Sequence, residues 1–291
     1  MPKLQSKVVL ITGAARGIGA ETARALAKEG AKLVLLDVDA EPLHALAAEL
    51  GSDSTIAAIA DVTDFAAVQS AADAGIARFG GIDVVLANAG IASYGSVLKV
   101  DPVAFKRVID VNVLGVFHTV RATLPSVIER KGYVLVVSSL AAYAAAPGLA
   151  AYCASKAGVE HFANALRLEV AHHGVAVGSA HMSWIDTPLV RDAKSDLASF
   201  QQLIDTLPGP LSKTASVDLC TKAFVKGIKR RSRKVYVPGW VGAIGWLKAV
   251  VTSRLGDQGV AKHVPRLLPQ MDAEVDALGR STSARYGEGT E

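Results

Sequence analysis

Two short segments, Val8-Val9-Leu10-Ile11 and Val134-Leu135-Val136-Val137, are apolar at every position. A strand with one face in water alternates apolar and polar residues, so a strand with no polar face is covered on both sides. Such strands belong to a parallel sheet with helices on each face. The remainder of the sequence agrees. Strand-like runs over 7–11, 32–37, 55–60, 82–87, 132–138, 175–181 and 234–237 alternate with helical patterns over 17–29, 40–50, 64–79, 102–130, 150–173 and 215–230. This alternation predicts an α/β fold built on a doubly wound parallel sheet over residues 1–239. The stretch 182–216 breaks the rhythm with Pro188, Pro208, Gly209 and Pro210 and reads as a long loop with one small helix. Beyond 237 the alternation stops. Helices are expected over 240–255 and 257–278, giving a C-terminal helical extension over 240–280, and 281–291 reads as a disordered tail.

Composition excludes several classes. Of 291 residues, 51% are hydrophobic and 20% charged, which is incompatible with a disordered chain. The net charge of +4 is too small to indicate a nucleic-acid partner. Two cysteines, Cys153 and Cys220, cannot form a disulfide framework and suit a reducing, cytoplasmic location. The apolar run at 8–11 is too short for a signal peptide. The uncharged stretch 132–155 has the length of a membrane span, but Ser138-Ser139, Pro147-Gly148 and Ser155 divide it into a strand, a loop and a helix start.

The first strand runs directly into Thr12-Gly13-Ala14-Ala15-Arg16-Gly17-Ile18-Gly19, which opens the first helix. Glycines let the backbone approach a diphosphate, and the helix N-terminus offers free N–H groups and a positive dipole end. Asp37 closes the second strand, where a carboxylate can accept hydrogen bonds from both hydroxyls of an adenosine ribose and would repel a 2′-phosphate. Arg16, inside the loop, is the opposing cation. The balance predicts NAD as the preferred cofactor, with NADP as the alternative.

The loop spacing Gly-x3-Gly-x-Gly, Asn88-Ala89-Gly90, Asn112, Ser139, and Tyr152 with Lys156 together resemble the short-chain dehydrogenase/reductase family over roughly residues 5–240. The resemblance implies a Rossmann-type fold, a nicotinamide cofactor, and hydride transfer to or from an alcohol or carbonyl carbon. It implies that Gly13, Arg16, Gly17, Ile18, Gly19 and Asp37 hold the cofactor and that Asp61 and Val62 contact its adenine. By the same resemblance, Asn88, Ala89 and Gly90 line the cofactor, while Ile185 and Thr187 hold the nicotinamide carboxamide. A homodimer or homotetramer through the helices near 102–130 and 150–173 is also implied. The sequence departs from the family pattern at Ala87, where a second asparagine is frequent, and at Met182-Ser183, where Pro-Gly is usual.

The chemistry of these residue types supports the same site. Tyr152 and Lys156 are one helical turn apart and share a face. A phenol titrates near 10, so lowering it to about 7 needs roughly 4 kcal/mol, which one ammonium about 4 Å away supplies at an effective dielectric near 20. Tyr152 is therefore the expected general acid/base, with Lys156 lowering its pKa and binding the cofactor ribose. Ser139 ends the fifth strand and is expected to orient the reacting oxygen. Asn112, expected mid-helix, would hold a water that carries protons from Lys156. Ser138, Cys153, His161, His172 and His173 read as packing or surface residues. His181 ends a strand beside the site and reads as packing, with substrate contact as the alternative. No His, Cys or carboxylate cluster has metal-ligand spacing.

The apolar content of the 182–216 loop and the tail points to a hydrophobic small-molecule substrate, such as a secondary alcohol or ketone. A cofactor-binding sensor without turnover is the competing function; such a protein usually lacks the tyrosine or the lysine, and both are present here. Trp240, Ile244, Leu247, Val251 and Leu255 form an apolar stripe on a single expected helix, downstream of the cationic run Lys229-Arg230-Arg231-Ser232-Arg233-Lys234. Three roles fit that pairing: core or interface packing with the cations capping a helix, a lid on the substrate, or weak contact with an anionic membrane surface.

Overall fold

The computed structural model describes residues 4–286. Seven parallel strands form one sheet in the order β3-β2-β1-β4-β5-β6-β7. They are β1 (Val8–Thr12), β2 (Lys32–Asp37), β3 (Thr55–Ile59), β4 (Val84–Ala87), β5 (Tyr133–Val137), β6 (Ala176–Met182) and β7 (Lys234–Val237). Helices α1 (Gly17–Lys28), α2 (Ala40–Leu50), α3 (Phe65–Phe79), α4 (Pro102–Ile109), α5 (Gly115–Glu129), α6 (Ala150–Glu169) and α9 (Val217–Arg230) cover its two faces. The fully apolar strands explain the two cores. Leu10, Val34, Val85 and Val136 pack on one face with Val68 of α3, Val120 of α5 and Val159 of α6. Val9, Ile11, Leu35 and Leu135 pack on the other with Leu26 of α1 and Phe224 of α9. Each fully buried aliphatic side chain of this kind is worth about 1.5–3 kcal/mol relative to exposure. Strand order reverses between β1 and β4, so the carboxyl ends of these strands open a crevice.

Three elements differ from expectation. The helix over 102–130 is interrupted by a π turn at Asp110–Leu114 that contains Asn112. The 182–216 stretch is not a loop with one small helix: it folds into α7 (Pro188–Asp196), α8 (Ala198–Asp205) and a 3-10 turn at Gly209–Ser212.

The expected helix over 240–255 is three pieces. They are α10 (Val241–Trp246), α11 (Lys248–Val251) and α12 (Arg254–Ala261), followed by α13 (Val264–Leu278). Thr252 Oγ1 and Ser253 Oγ donate back to the carbonyls of Lys248 and Val250, and Ser253 then starts α12 with extended backbone. Such back-bonding competes with helix continuation. The stripe is consequently not a buried face: Val241 and Gly242 are the buried positions of α10, while Leu247 and Trp246 are exposed.

Three of the five cations upstream are used within the fold. Arg231 adopts φ +51° at the end of α9 and donates to the carbonyls of Gly132 and Gly174, Lys229 pairs with Glu29, and Lys234 pairs with Glu160. The tail is ordered over part of its expected disordered length. Ser281, Thr282 and Ser283 are buried, Thr282 bridges to Ser93, and the Ser281 carbonyl accepts from Tyr94 N. The rest of that expectation, 287–291, lies outside the described residues.

Candidate active site

A cleft of about 220 Å³ lies along the carboxyl ends of the strands and runs from Asp37 to Tyr152. Its floor is the glycine loop. Gly13 has φ +65°, and a Cβ there would sit 2.8 Å from Ala89 Cα; a Cβ on Gly19 would collide with the Gly13 carbonyl. The loop and the segment just after β4 are therefore packed backbone to backbone. Asn88 secures the contact by donating to the carbonyls of Thr12 and Gly13, each at 3.0 Å. Arg16 precedes α1 without a side-chain cap, and no acidic residue occupies the first turn of that helix. An anion is what such a helix end accommodates.

At the β2 end, Asp37 accepts from Ala15 N at 2.9 Å and from Asp39 N at 3.1 Å. Burial raises its pKa above the ordinary carboxylate value, partly offset by these hydrogen bonds. Arg16 Nε lies 3.0 Å from Asp39 Oδ2, so the loop cation already faces a carboxylate. Asp61 accepts from Thr63 and from Arg107 Nη2 at 2.7 Å. Burial pushes Asp61 up, but these donors outweigh it and hold the carboxyl below its usual range. Gly17, Ile18, Val62, Ala89, Gly90 and Thr187 also line the cleft.

At the other end, Tyr152 and Lys156 project from the first two turns of α6, with Lys156 Nζ 5.5 Å from the Tyr152 ring centre. Lys156 is buried, and its ammonium donates to the Val137 carbonyl at 3.0 Å. Burial lowers its pKa to about 8. Burial raises Tyr152 to about 12, against a lowering hydrogen bond with Ser139. The attraction of Lys156 weighed in the sequence is opposed by desolvation, which works against both charged forms, so the second positive charge expected of an oxidised nicotinamide carries part of the lowering. Ser139 caps the 3-10 turn Leu140–Ala142, accepting from Ala141 N at 3.1 Å, which directs its hydroxyl to the end of β5.

Two further residues are held inside the fold. Asn112 is fully buried, and both N–H groups of its amide are used, at 2.9 Å to Ile91 O and 2.9 Å to Ser155 Oγ, while Oδ1 accepts from Ile91 N. It ties the segment after β4 to α6 and has no side-chain N–H left for a water. Ile185 is buried away from the cleft surface and bridges to Ala215, leaving Thr187 as the cleft residue of that pair. Ser183 needs no glycine-like backbone, since it is not among the residues with positive φ. Its Oγ is buried without a hydrogen-bond partner among the described residues. His181 is fully buried and points behind the site, toward β7.

Sequence reasoning missed Asp39, Arg107 and Leu189 as cleft residues. Asp39 had a local signal, an Asp just before a helix; Arg107 depends on a pairing across the fold that no local pattern encodes. Beside Tyr152 lies a third apolar cluster that includes Tyr94, Leu149, Phe200 and Met271, with Trp184 and Leu189 against it. Helix α13 supplies Met271 and Val275 to it and is pinned by Glu274 to Ser199 and by Asp272 to Ser96 N.

Comparison with known proteins agrees with this geometry. The SadH protein of Mycobacterium tuberculosis is 36% identical over 278 residues, covering 91% of this chain and 99% of that protein. Oxidoreductase UcpA of Salmonella typhimurium is 38% identical over 193 residues, covering 65% of this chain and 73% of UcpA. Among solved structures, a short chain dehydrogenase/reductase from Burkholderia phymatum in complex with NAD aligns with a TM-score of 0.75 at 25% identity, covering 84% of this chain and 94% of the other. The 3-ketoacyl-(acyl-carrier-protein) reductase from Brucella melitensis, complexed with NADH, aligns with a TM-score of 0.72 at 30% identity, covering 80% and 97%. The sequence pattern of the short chain dehydrogenases matches residues 7–198, and the chain, an oxidoreductase with a nicotinamide-binding Rossmann-type fold, belongs to that family.

Proposed function

We propose that this protein interconverts a hydrophobic secondary alcohol and its ketone, using NAD in preference to NADP, with Tyr152 as general acid/base. The observation that carries this reading is one cleft with Tyr152 and Lys156 at one end and Asp37 at the other. The glycine loop fits a dinucleotide, because its backbone leaves no room for side chains and an uncapped helix end faces the cleft. A bound nicotinamide supplies hydride transfer. Gly13, Arg16, Gly17, Ile18 and Gly19 form the diphosphate cradle, Asp37 accepts from the ribose hydroxyls, and Asp61 and Val62 flank the adenine. Lys156 donates to the second ribose. Tyr152 Oη removes the alcohol proton in oxidation and returns it in reduction, and Ser139 orients the oxygen. The preference for NAD is supported by Asp37 and by Asp39, which offsets Arg16 where a 2′-phosphate would need it. The apolar cluster beside Tyr152 supports a hydrophobic substrate. The reading includes a cytoplasmic homodimer, in keeping with the unpaired Cys153 and Cys220.

The test is nicotinamide absorbance with a panel of secondary alcohols and ketones and with both cofactors. Tyr152→Phe should keep NAD affinity within about twofold and lose at least about 10²-fold in turnover. Turnover of Tyr152→Phe near that of the unmodified protein would sink the assignment, and a higher kcat/KM with NADP would overturn the cofactor preference.

A further inference from the structure

Behind Ser139 lies a buried polar chain to which the proposed mechanism gives no role. Lys234 Nζ donates to Glu160 Oε1 at 2.7 Å and to Ser179 Oγ at 3.0 Å. Ser179 Oγ is 2.9 Å from His181 Nε2, and His181 Nδ1 is 3.3 Å from the Ser139 carbonyl oxygen. The donor count determines the direction of the chain. The Ser139 carbonyl only accepts, so His181 Nδ1 donates to it and Nε2 of the neutral ring accepts the hydrogen of Ser179 Oγ, which in turn accepts from Lys234. Lys234 Nζ also lies 3.4 Å from Nε2, which again requires that nitrogen to accept. The ring proton is therefore on Nδ1 and points at Ser139. Burial and the nearby Lys234 hold the imidazole neutral, with a pKa lowered to about 4. Tyr143 stacks on the ring at 4.5 Å and 17°, fixing its plane.

We propose that His181 is a positioning residue for Ser139. Its Nδ1–H shares the Ser139 carbonyl with Ala142 N and holds the end of β5 at the angle from which the serine hydroxyl meets Tyr152. Lys234 and Ser179 set the tautomer, and Glu160, on the same helix as Tyr152 and Lys156, anchors Lys234. The device thus ties α6, β5, β6 and β7 together directly behind the reacting groups. The inference rests on the assignment of Ser139 as the residue that orients the reacting oxygen.

Two measurements test it. The ring nitrogen shifts of His181, read by 15N NMR on the full-length protein, should report Nδ1–H near neutral pH; an Nε2–H tautomer overturns the proposal without any variant. Kinetically, His181→Leu should lower kcat about 10- to 100-fold, as expected for a small misplacement of a reacting group, with NAD affinity unchanged. His181→Asn, which keeps an N–H near the Nδ1 position, should recover to within a few-fold. In a Ser139→Ala background, His181→Leu should add less than about twofold, because the group it positions is already gone. Ser139→Ala with unchanged turnover would refute the site assignment itself. Loss in Ser139→Ala with no loss in His181→Leu would refute only the positioning role.

Discussion

Gly90 has negative-side backbone geometry that any residue could adopt, yet a Cβ there would lie 3.2 Å from Lys156 Nζ and 3.2 Å from Asn112 Oδ1. It is a close approach, and the atoms it would displace are the amine and the amide that position α6. Gly90→Ala should keep the fold and lower kcat by roughly tenfold or more through the shifted amine, with a smaller effect on NAD binding. Steady-state kinetics beside NAD titration check this; unchanged kcat would show that Lys156 tolerates the displacement. Lys156 itself should cost stability. Its folded pKa, about 8, is below the unfolded value near 10.4, so the unfolded chain binds more protons between these values. Stability therefore rises with pH across that window, and the burial cost is fully present below pH 8. Lys156→Met should raise Tm at pH 7, with an advantage that shrinks as pH approaches 10, while abolishing turnover. A lower Tm at pH 7 would show that the bond to Val137 outweighs desolvation. At this scale the sequence was legible where chemistry follows spacing, as for Tyr152 and Lys156. It was illegible where burial decides, as for their pKa directions, and where partners come from distant strands, as for His181 and Lys234.

The elements that carry the site were readable because period and punctuation agree: apolar strands and glycine turns mark the same boundaries, and the structure adds Asp64 and Asp101 as caps of α3 and α4. The C-terminal extension was misread because periodicity alone was used. Trp240, Ile244 and Leu247 have helical spacing, but α10 stops at Trp246, back-bonding by Thr252 and Ser253 stops α11, and Trp246 is left 89% exposed. The element of the extension that packs beside the site is instead α13, whose Met271 and Val275 join Phe200 and Tyr94 in the apolar cluster. Among the described residues, none beyond Val237 belongs to either core of the sheet. Deleting 264–291 should therefore leave a folded protein that binds NAD, with KM raised for bulky apolar substrates more than for short ones. Thermal unfolding, NAD titration and a chain-length series of secondary alcohols separate the outcomes. Equal KM changes across the series would remove α13 from the substrate wall, and loss of NAD binding would show that it supports the whole fold.

At the scale of the whole molecule, the question is which faces are left for a second copy. Helix α10 already covers part of the last strand, since a Cβ on Gly242 would lie 2.9 Å from the Tyr236 ring, and Lys248 of α11 reaches within 3.7 Å of Glu160 on α6. Association through the β7 side would have to displace it. The opposite situation holds on α5 and its approach. Leu114 and Phe117, one turn apart, are exposed on a helix whose other face is buried in the core, and Leu168 at the end of α6 is exposed as well. The proposed homodimer would use these exposed apolar side chains as its association surface. A single surface of this kind, used by two copies about a twofold axis, gives a closed dimer, whereas a tetramer needs a second surface that α10 obstructs. Phe117→Glu places a charge at the centre of the proposed interface and should halve the mass seen by light scattering at micromolar concentration. NAD affinity should be unchanged, because Phe117 is not part of the cleft. A tetramer in the unmodified protein would refute the obstructing role of α10, and a dimer that survives Phe117→Glu would move the interface off α5.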